Sequence, residues 1–505
     1  MIIFGKEARE KLLTGINLVA DTVQPTLGPQ ARTVVLQGER PIIINDGVTI
    51  ARHITHSDPF VQMGVQLVQS VASETQGNAG DGTTTAAILA RYLCNEGLER
   101  VENGESPIKL KKELENHVAA VVAALQENSI PVTDEKMVTQ VATISANNDN
   151  ELGKLISEVV ALVGKDGVIT VDEGNSIETT FEVVDGLELD RGYISHIMMN
   201  DMENARCVLE NPLIFMCNDS IKNFQDVLPI LEIAVANKRP LLIMAKVFEG
   251  SALSNLLINL MQKTLECAVI RMPNFGDESI EEMEDIVSVI GGSVINIEVG
   301  GEVSKTTFED LGQCSKVIIT KNKTTIIGGE SGLAKERIAG LQTLVENAPN
   351  DWAKDKLRLR IGKLSGGVAV IRVGGATEIE MRERKERLDD ALNATRAAMQ
   401  EGVVVGGGKA LINAKGCIEE GSLLSNALNE PLKVLLENGD ASKLSLDGVW
   451  SNKNWGYNAL TDNCGDLMEM GIIDPVKVTR SSLQAAASIA GLVLTTEVLV
   501  SHDEE

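Results

Sequence analysis

Hydrophobic residues recur at three- and four-residue intervals over much of the first 128 positions, and this spacing predicts helices. The clearest apolar stripe consists of Leu110, Leu114, Val118, Val121 and Leu125. A second stripe consists of Val61, Val65, Val68 and Ala72. Two short β-like runs lie at Thr33–Leu36 and Pro41–Asn45. The N-terminal stretch is therefore predicted to be mainly helical.

The middle of the chain, from Gly186 to Gly367, alternates instead between short apolar runs and helical periods, which is typical of an α/β unit. Strands are predicted at Gly167–Asp172, Pro240–Ala245, Cys267–Met272, Ser293–Ile297 and Val368–Val373. Helices are predicted at Ile221–Ala236 and Ser251–Thr264, and a hairpin joins Lys316–Thr320 to Thr324–Ile327.

The order of these patterns predicts a nested, multi-domain protein of the α/β and α classes, in which the outer stretches fold together around an inserted middle. A helix-ending Ser129-Ile130-Pro131 marks the first boundary. A long charged helix is predicted over Gly374–Glu401, before helices return. The predicted segments are residues 1–130, 131–185, 186–367, 368–401 and 402–505.

Net charge and cysteine content limit which partners and which cellular compartment are expected for this protein. The net charge is −26, a field that repels nucleic acid and anionic membranes, and aromatic residues make up only 3%. Neither nucleic acid nor membrane is therefore expected as a partner. Seven cysteines without a CxxC pair, no signal-peptide pattern and no run of about 20 apolar residues indicate a cytoplasmic protein with reduced thiols.

The most informative motif is Gly80-Asp81-Gly82-Thr83-Thr84-Thr85, which opens an apolar helix. The N-terminus of a helix presents unpaired N–H groups and partial positive charge, so it can hold a phosphate. Asp81 supplies the hard oxygen ligand that Mg²⁺ prefers. The alternative is an ordinary helix start after a glycine turn.

Three other strings are ambiguous by themselves. Thr26-Leu27-Gly28-Pro29 is either a ligand-contacting loop or a simple turn. Asn45-Asp46-Gly47 is either a hairpin turn or a strand end that brings Asp46 to a phosphate site. Gly406-Gly407-Gly408 is either a hinge or a place where a ligand approaches the backbone. None of them is a Walker A loop or a dinucleotide-binding fingerprint.

Taken together and in order, these strings resemble the GroEL-type (group I) chaperonins nearly from end to end. Further matching strings begin at Thr143, Gly167, Asp190, Asn274, Glu309, Leu364, Asp390, Ala397, Gly456 and Gly471. The resemblance implies an equatorial domain built from both chain ends (1–130 and 402–505), an intermediate domain (131–185 and 368–401) and an apical domain (186–367). It also implies an ATP-dependent chaperone that binds non-native proteins in the cavity of a homo-oligomeric ring of seven subunits.

The resemblance further implies which residues bind ATP with Mg²⁺ and K⁺. Asp390, on the long intermediate helix, would swing in to activate the attacking water, with Asp46 assisting, and Asp81 would hold Mg²⁺. The nucleotide-binding positions implied are Thr26, Leu27, Gly28, Pro29, Asn45, Asp81, Gly82, Thr83, Thr84, Thr85, Gly407, Asn458, Ala459, Leu460 and Asp474.

For clients and a GroES-type lid, the resemblance implies an exposed apolar face, since unfolded chains share apolar surface rather than shape. Its positions are Tyr193, Ile197, Met198, Leu228, Leu231, Leu253, Leu257 and Ile258.

Departures from the family pattern leave several points open. Asn45 and Gln30 stand where the family has lysines, which affects K⁺ and phosphate contacts. Ala441 replaces a glutamate used between rings, so a single and a double ring both remain open. A ring that binds proteins without hydrolysing ATP is the alternative function. A divergent bacterial and a virus-encoded origin are both compatible with the sequence.

Overall fold

The stripe from Leu110 to Leu125 forms one side of a helix over Pro107–Glu127, and all five of its apolar residues are buried. The structure is a computed structural model. It describes residues 1–37, 42–146, 148–164, 167–174, 176–202, 204–272, 277–296, 300–329, 331–346, 348, 351–365, 367–441, 448–450 and 452–501. The N-terminal elements are β1 Ile2–Phe4, α1 Gly5–Val23, β2 Val34–Leu36, β3 Ile42–Ile44, α2 Gly47–His53, α3 Pro59–Ala79, α4 Thr83–Glu102, α5 Pro107–Glu127, α6 Glu135–Ser145 and α7 Asn150–Val163.

The middle of the chain supplies most of the strands. Its elements are β4 Val168–Glu173, β5 Thr180–Val184, β6 Gly186–Leu189, β7 Cys207–Glu210, β8 Leu213–Ile221, α8 Phe224–Asn237, β9 Leu241–Phe248, α9 Gly250–Met261, β10 Cys267–Arg271, α10 Asp277–Ile290, β11 Val294–Ile295, β12 Gly312–Ile319, β13 Thr324–Gly329, α11 Ala334–Glu346, α12 Asp351–Ser365 and β14 Val368–Val373.

The C-terminal part is helical again, with short strand pairs. Its elements are α13 Glu378–Glu401, β15 Val403–Val405, α14 Lys409–Ala414, α15 Leu423–Ala427, α16 Glu430–Asn438, β16 Trp455–Asn458, β17 Asn463–Asp466, β18 Ile473–Pro475, α17 Val476–Thr495 and β19 Val498–Val500.

The chain forms two compact units. Unit 1 joins Met1–Glu158 to Val373–Glu505, and unit 2 is Val159–Arg372. Both ends of the chain thus belong to one unit, and β1 pairs with β19 in antiparallel register. The finer division into three named domains stays a prediction.

The core of unit 1 is a bundle in which α17 packs against α3, α4 and α5. Helices α1 and α3 approach closely because Gly15 and Gly64 lie at their contact. A Cβ on Gly15 would lie 2.2 Å from the Val61 carbonyl oxygen, and one on Gly64 would lie 2.2 Å from that of Leu12. No helix among the described residues is long and apolar enough to cross a membrane.

Unit 2 contains an eight-stranded mixed sheet with the order β10-β9-β8-β12-β13-β6, to which β11 and β7 add at β8 and β12. Strands β8, β9 and β10 are parallel, and α8 and α9 make the crossovers between them. Such crossovers are right-handed, so α8 and α9 lie on one face of the sheet and run side by side. A separate three-stranded sheet has the order β4-β14-β5.

The predicted elements are present, with shifted ends. The strand predicted at Pro240–Ala245 continues to Phe248. The helix predicted from Ile221 begins at Phe224, because β8 runs through Ile221. The long helix begins at Glu378 rather than Gly374, because the Thr377 side chain caps it at the Glu380 N–H. The predicted hairpin of β12 and β13 is confirmed.

Candidate functional site

A cavity of about 300 Å³ lies within unit 1. Many separate segments of the sequence reach its wall, among them the loop after α1, the start of α2, the start of α4, the middle of α13 and the segment around β18. The predicted residues that line it are Thr26, Leu27, Gly28, Pro29, Asn45, Asp46, Asp81, Gly82, Thr83, Thr84, Thr85, Asp390, Gly407 and Asp474.

The start of α4 gives the cavity an anion-binding wall. Gly80 and Gly82 have φ angles of 73° and 89°, in the left-handed region that favours glycine. Gly82 is the N-cap residue and provides no side chain, so the first-turn N–H groups of α4 are not satisfied by a capping side chain. The Thr83 Oγ1 is buried without a hydrogen-bond partner among the described residues. Unpaired donors at a helix N-terminus fit phosphate oxygens.

The loop Thr26–Pro29 faces this wall and is held in place from behind. Thr26 Oγ1 donates to the Val23 carbonyl at 2.8 Å and lies 3.5 Å from Thr84 Oγ1. Asn438 Nδ2 donates to the carbonyl oxygens of Gln24 and Leu27, both at 3.0 Å. Two hydrogen bonds from one amide fix the backbone of the loop at the edge of the cavity.

Asp46 lies at the start of a helix, so the hairpin alternative for Asn45-Asp46-Gly47 is wrong. Its carboxylate caps α2 by accepting from the N–H groups of Val48 and Thr49, at 3.3 and 2.7 Å. A Cβ on Gly47 would lie 2.6 Å from Thr84 Oγ1. Only glycine therefore lets the start of α2 come this close to α4, which brings Asp46 to the wall.

The helix α13 carries Asp390 into the cavity. Gln76, in the last turn of α3, donates from Nε2 to Asp390 Oδ1 at 3.1 Å. Glu386, one helical turn earlier, lines the same cavity. Glu383 and Arg387 are also in the wall. The polar side of α13 therefore provides more of the site than the single predicted aspartate.

The Gly406–Gly408 segment approaches Asp474 closely. A Cβ on Gly406 would lie 3.0 Å from Asp474 Oδ1, and the Gly407 N–H donates to the Asp474 carboxylate. Gly407 and Gly408 have φ angles of 63° and 73°. The glycines thus form a fixed, narrow part of the wall, which argues against the hinge alternative at this point.

Crowding of carboxylates raises their pKa values. Burial, and then the charge of Asp81, raises the pKa of Asp474 to about 7. Burial and the charge of Asp46 raise the pKa of Glu386 to about 7. The pKa of Asp81 is raised by burial and by Asp46, and that of Asp390 is raised well above its usual range by burial and by the charges of Asp81 and Asp46. A bound cation would relieve this repulsion.

The cavity fits Mg²⁺ held together with phosphate better than a metal held by protein alone. Among the residues that the structure describes, no three His, Cys, Asp or Glu side chains form a group that could hold a metal ion. Mg²⁺ is usually bound through one or two carboxylates, with waters and substrate phosphates completing its shell. Asp81, beside the uncapped start of α4, is placed for that role.

Three predicted nucleotide-binding residues do not line the cavity. Leu460 is 56% exposed, and the Ala459 carbonyl accepts a hydrogen bond from Gln30 Nε2 at 2.7 Å. Asn458 accepts through Oδ1 from the Leu460 N–H at 2.9 Å. The Asn458 side chain therefore bonds within its own turn, and a nucleotide-binding role for these three residues stays a prediction.

The sequence prediction missed several residues of the site. Glu386 could have been found from its four-residue spacing to Asp390, which puts both on one helix face. Gln76, Asn438 and Ser482 carry no such signal, since they reach the site from distant parts of the chain. Ser482 on α17 donates to the Gly82 carbonyl at 3.0 Å.

The predicted apolar face lies on α8 and α9 of unit 2. Leu228 is 41% exposed and Ile258 is 51% exposed, while Leu253, Leu257, Tyr193 and Ile197 are partly buried. Val235 and Met261, at 56% and 70%, extend the exposed apolar surface toward the ends of the same helices. Large apolar side chains exposed on neighbouring helices mark an interaction surface.

Two predicted residues of this face belong to the core instead. Met198 is 3% exposed, and its Sδ accepts a hydrogen bond from the Val269 N–H at 3.4 Å. Leu231 is 7% exposed and packs among the buried residues of unit 2. Leu228 and Leu231 are three residues apart, and α8 turns the first outward and the second inward.

A family model and two solved structures both match this chain over nearly its whole length. The model of the TCP-1/cpn60 chaperonin family matches residues 19–504. Two crystal structures of the chaperonin gp146 from bacteriophage EL 2 (Pseudomonas aeruginosa), both in the presence of ATP-BeFx, are similar at 22% sequence identity. Crystal form II has a TM-score of 0.73, with 100% of both chains covered. Crystal form I has a TM-score of 0.67, with 100% of this chain and 99% of the other covered. At this identity the likeness shows a shared fold.

Proposed function

The chain belongs to the TCP-1/cpn60 chaperonin family, and from this premise we propose that it is a ring-forming, ATP-driven protein-folding machine whose hydrolysis site is the cavity of unit 1. One observation carries the assignment of the site. Asp46, Asp81 and Asp390, from three distant segments, line the same cavity as the uncapped start of α4.

The phosphates of ATP are proposed to bind at the start of α4 and along the loop Thr26–Pro29. The N–H groups of the first turn of α4 and the hydroxyls of Thr83, Thr84 and Thr85 supply the donors. Thr83 Oγ1 gains there the partner that it lacks among the described residues. Asp474 and Gly407 line the part of the wall proposed for the nucleoside.

Mg²⁺ is proposed to bind at Asp81, and when bound it neutralises charge on the phosphate oxygens. K⁺ is a further proposal, with Asn45 in the wall as the residue where the family has a lysine. The protein's own side chains are proposed to activate the attacking water. Asp390 orients the attacking water and accepts its proton, Asp46 assists, and Gln76 holds the Asp390 carboxylate.

Clients are proposed to be non-native proteins that bind the exposed apolar surface of α8 and α9, around Leu228 and Ile258. A GroES-type lid is proposed to compete for the same surface. Assembly into a homo-oligomeric ring of seven subunits is proposed from the family, with one or two rings left to experiment. No disulfide joins the seven cysteines, all of which lie in the described part of the chain, and this supports the proposed cytoplasmic location.

The test is steady-state ATP hydrolysis by the assembled full chain with Mg²⁺ and K⁺. Asp390→Asn should remove nearly all turnover while ATP still binds. Asp389→Asn is the matched control, since it removes the same charge from the adjacent, exposed residue of α13. If the unaltered ring binds ATP but shows no hydrolysis above background, the proposal is wrong and the passive protein-binding ring replaces it.

A further inference from the structure

Glu386 is a second carboxylate that α13 places in the wall of the cavity. It stands four residues before Asp390, and this spacing puts both side chains on one face of the helix. Asp46 faces the same space from the start of α2. With Glu383, three acidic side chains of α13 therefore share a cavity of about 300 Å³ with Asp46.

Two basic residues near Glu386 on α13 are engaged with other groups, whereas the charge of Arg382 acts on Glu386 itself. Arg384 donates to the Gly374 carbonyl at 2.9 Å and to Glu380 at 3.3 Å. Arg387 pairs with Glu383 at 3.3 Å and with Asp149 at 3.7 Å. An acidic side chain with little compensation, in a cavity, is costly to keep for stability alone.

The charged groups that shift the pKa of Glu386 lie on its own helix, α13, and at the start of α2. Burial, and then the charge of Asp46, raises the pKa of Glu386 to about 7, with Glu383 and Asp389 adding to the shift and Arg382 opposing it. Asp390 also faces the cavity and is itself acted on by Asp46. A carboxyl that titrates near neutral pH can both accept and release a proton under working conditions.

A separate observation indicates that this cavity binds a ligand, because one of its buried polar groups has no hydrogen-bond partner among the described residues. Thr83 is 6% exposed, lines the cavity, and has a buried Oγ1 without a partner among the described residues. The start of α4 therefore has hydrogen-bonding capacity that the described protein does not use. The carboxylates of α13 line the same cavity and can act on what binds there.

Resting on the proposed ATP hydrolysis, we infer that Glu386 is a second proton-accepting carboxylate of the site, which takes over the proton that Asp390 accepts from the attacking water. In this step the water oxygen forms a bond to the γ-phosphorus. The bond from that phosphorus to the β,γ-bridging oxygen breaks, and its electron pair stays on ADP. The proton passes from the water to Asp390 and then to Glu386, so Asp390 is ionised again before the next turnover.

The experiment compares ATP turnover of the assembled full chain between pH 5.5 and 9 for the unaltered protein, Glu386→Gln and Glu386→Asp. Glu386→Gln should lower kcat about tenfold at neutral pH, with KM for ATP within about twofold, and should change the shape of the kcat profile near pH 7. Glu386→Asp should regain part of kcat and keep the titration. Glu378→Gln, an exposed residue of the same helix, should behave as the unaltered protein.

The outcomes separate this inference from the function on which it rests. If Glu386→Gln retains the kcat and pH profile of the unaltered protein while Asp390→Asn is inactive, the inference is overturned and the proposed function stands. If the unaltered ring does not hydrolyse ATP, both are overturned. ATP affinity and the thermal midpoint establish that each variant is folded, and Glu386→Asp decides the matter if Glu386→Gln does not assemble.

Discussion

Gln76 Nε2 donates a hydrogen bond of 3.1 Å to Asp390 Oδ1 and so joins the last turn of α3 to the middle of α13. This bond stabilises the ionised form of Asp390, against the burial and the charges of Asp81 and Asp46 that raise the pKa of that carboxyl. The residue proposed to accept the proton is therefore held by a side chain more than 300 positions away, and this bond favours its ionised form.

Removing this bond should weaken hydrolysis without abolishing ATP binding. Gln76→Leu leaves Asp390 with a still higher pKa, so less of it is ionised at neutral pH. We expect kcat at pH 7 to fall about three- to tenfold, the effect of about 1 kcal/mol, with recovery at higher pH. Gln66→Leu, at an exposed position of the same helix, is the control. An unchanged pH–rate profile in Gln76→Leu would contradict the role assigned to the bond.

Gly82 should be indispensable for nucleotide binding. Its φ is 89°, and a Cβ there would lie 2.3 Å from Ser482 Oγ and 2.8 Å from Val478 Cγ1. Gly82→Ala combines a backbone strain of about 1–2 kcal/mol with a clash at the phosphate-facing turn, so we expect at least a tenfold loss of ATP affinity by titration calorimetry.

Gly104→Ala is the matched control for this substitution. Gly104 has a φ of 101°, and a Cβ there would meet nothing within 4 Å. It should cost stability through strain alone and leave ATP affinity unchanged. Equal losses of ATP affinity in the two variants would mean that the close contact with α17 does not matter.

The ion-pair network of α10, α11 and α12 should contribute strongly to the stability of unit 2. Arg360 donates to both carboxylate oxygens of Asp285, from Nε at 2.7 Å and from Nη2 at 2.9 Å, and both residues are 8% exposed. Arg337 donates to the same carboxylate at 2.7 Å. Asp285→Ala removes the carboxylate that both guanidinium groups share and leaves Arg360 only its pair with Glu281, so we expect a loss of about 3 kcal/mol.

Scanning calorimetry of the intact chain, with Glu302→Ala beside Asp285→Ala, tests this prediction. Glu302 pairs with Lys305 at 2.9 Å on the exposed surface, where such a pair contributes less than about 1 kcal/mol. Similar melting temperatures for Asp285→Ala and Glu302→Ala would show that the buried network is not a major source of stability.

The nucleotide-free protein should lose stability as pH rises toward neutrality. The pKa of Asp474 is raised to about 7 in the fold, above the value of about 4 expected for an unfolded aspartate. Between these values the folded state retains a proton that the unfolded state has released, so this contribution to stability declines as pH rises and is lost above pH 7.

Thermal melting between pH 5 and 8 measures this decline. Asp474→Asn should flatten it and raise the melting temperature at pH 8, because the amide carries no buried charge. Asp21→Asn, at a side chain that is 63% exposed, should leave the slope as it is. A slope unaffected by Asp474→Asn would assign the pH dependence to other groups.

Client binding should depend on α8 and α9 through their exposed apolar residues only. Leu228→Ser and Ile258→Ser remove exposed contacts at little cost to the core, and we expect the double variant to bind a denatured model protein at least tenfold more weakly by fluorescence anisotropy. Ile177→Ser is the control, since Ile177 is 74% exposed in unit 2 but lies outside both helices. If the double variant bound the client as tightly as the unaltered protein, the client-binding surface would not include these two residues.

The pattern of residues was enough to predict most local elements and to name the candidate site residues. Periodicity placed α5 and its five buried residues, because a helix must bury one stripe wherever it packs. Gly80 and Gly82 predicted a turn, and both have the positive φ that few other residues adopt, while phosphate binding at this turn stays a prediction.

Which distant residues meet depends on the packing of the whole unit. Gln76 and Ser482 reach the cavity, and Asn438 reaches the loop beside it, through packing between helices far apart in sequence, and no local pattern encodes those contacts. The outward turn of Leu228 and the burial of Leu231 also depend on how α8 rests on its sheet. Apolar periodicity specifies that a face is buried, whereas long-range packing specifies what it is buried against, and the site's carboxylates take their properties from those neighbours.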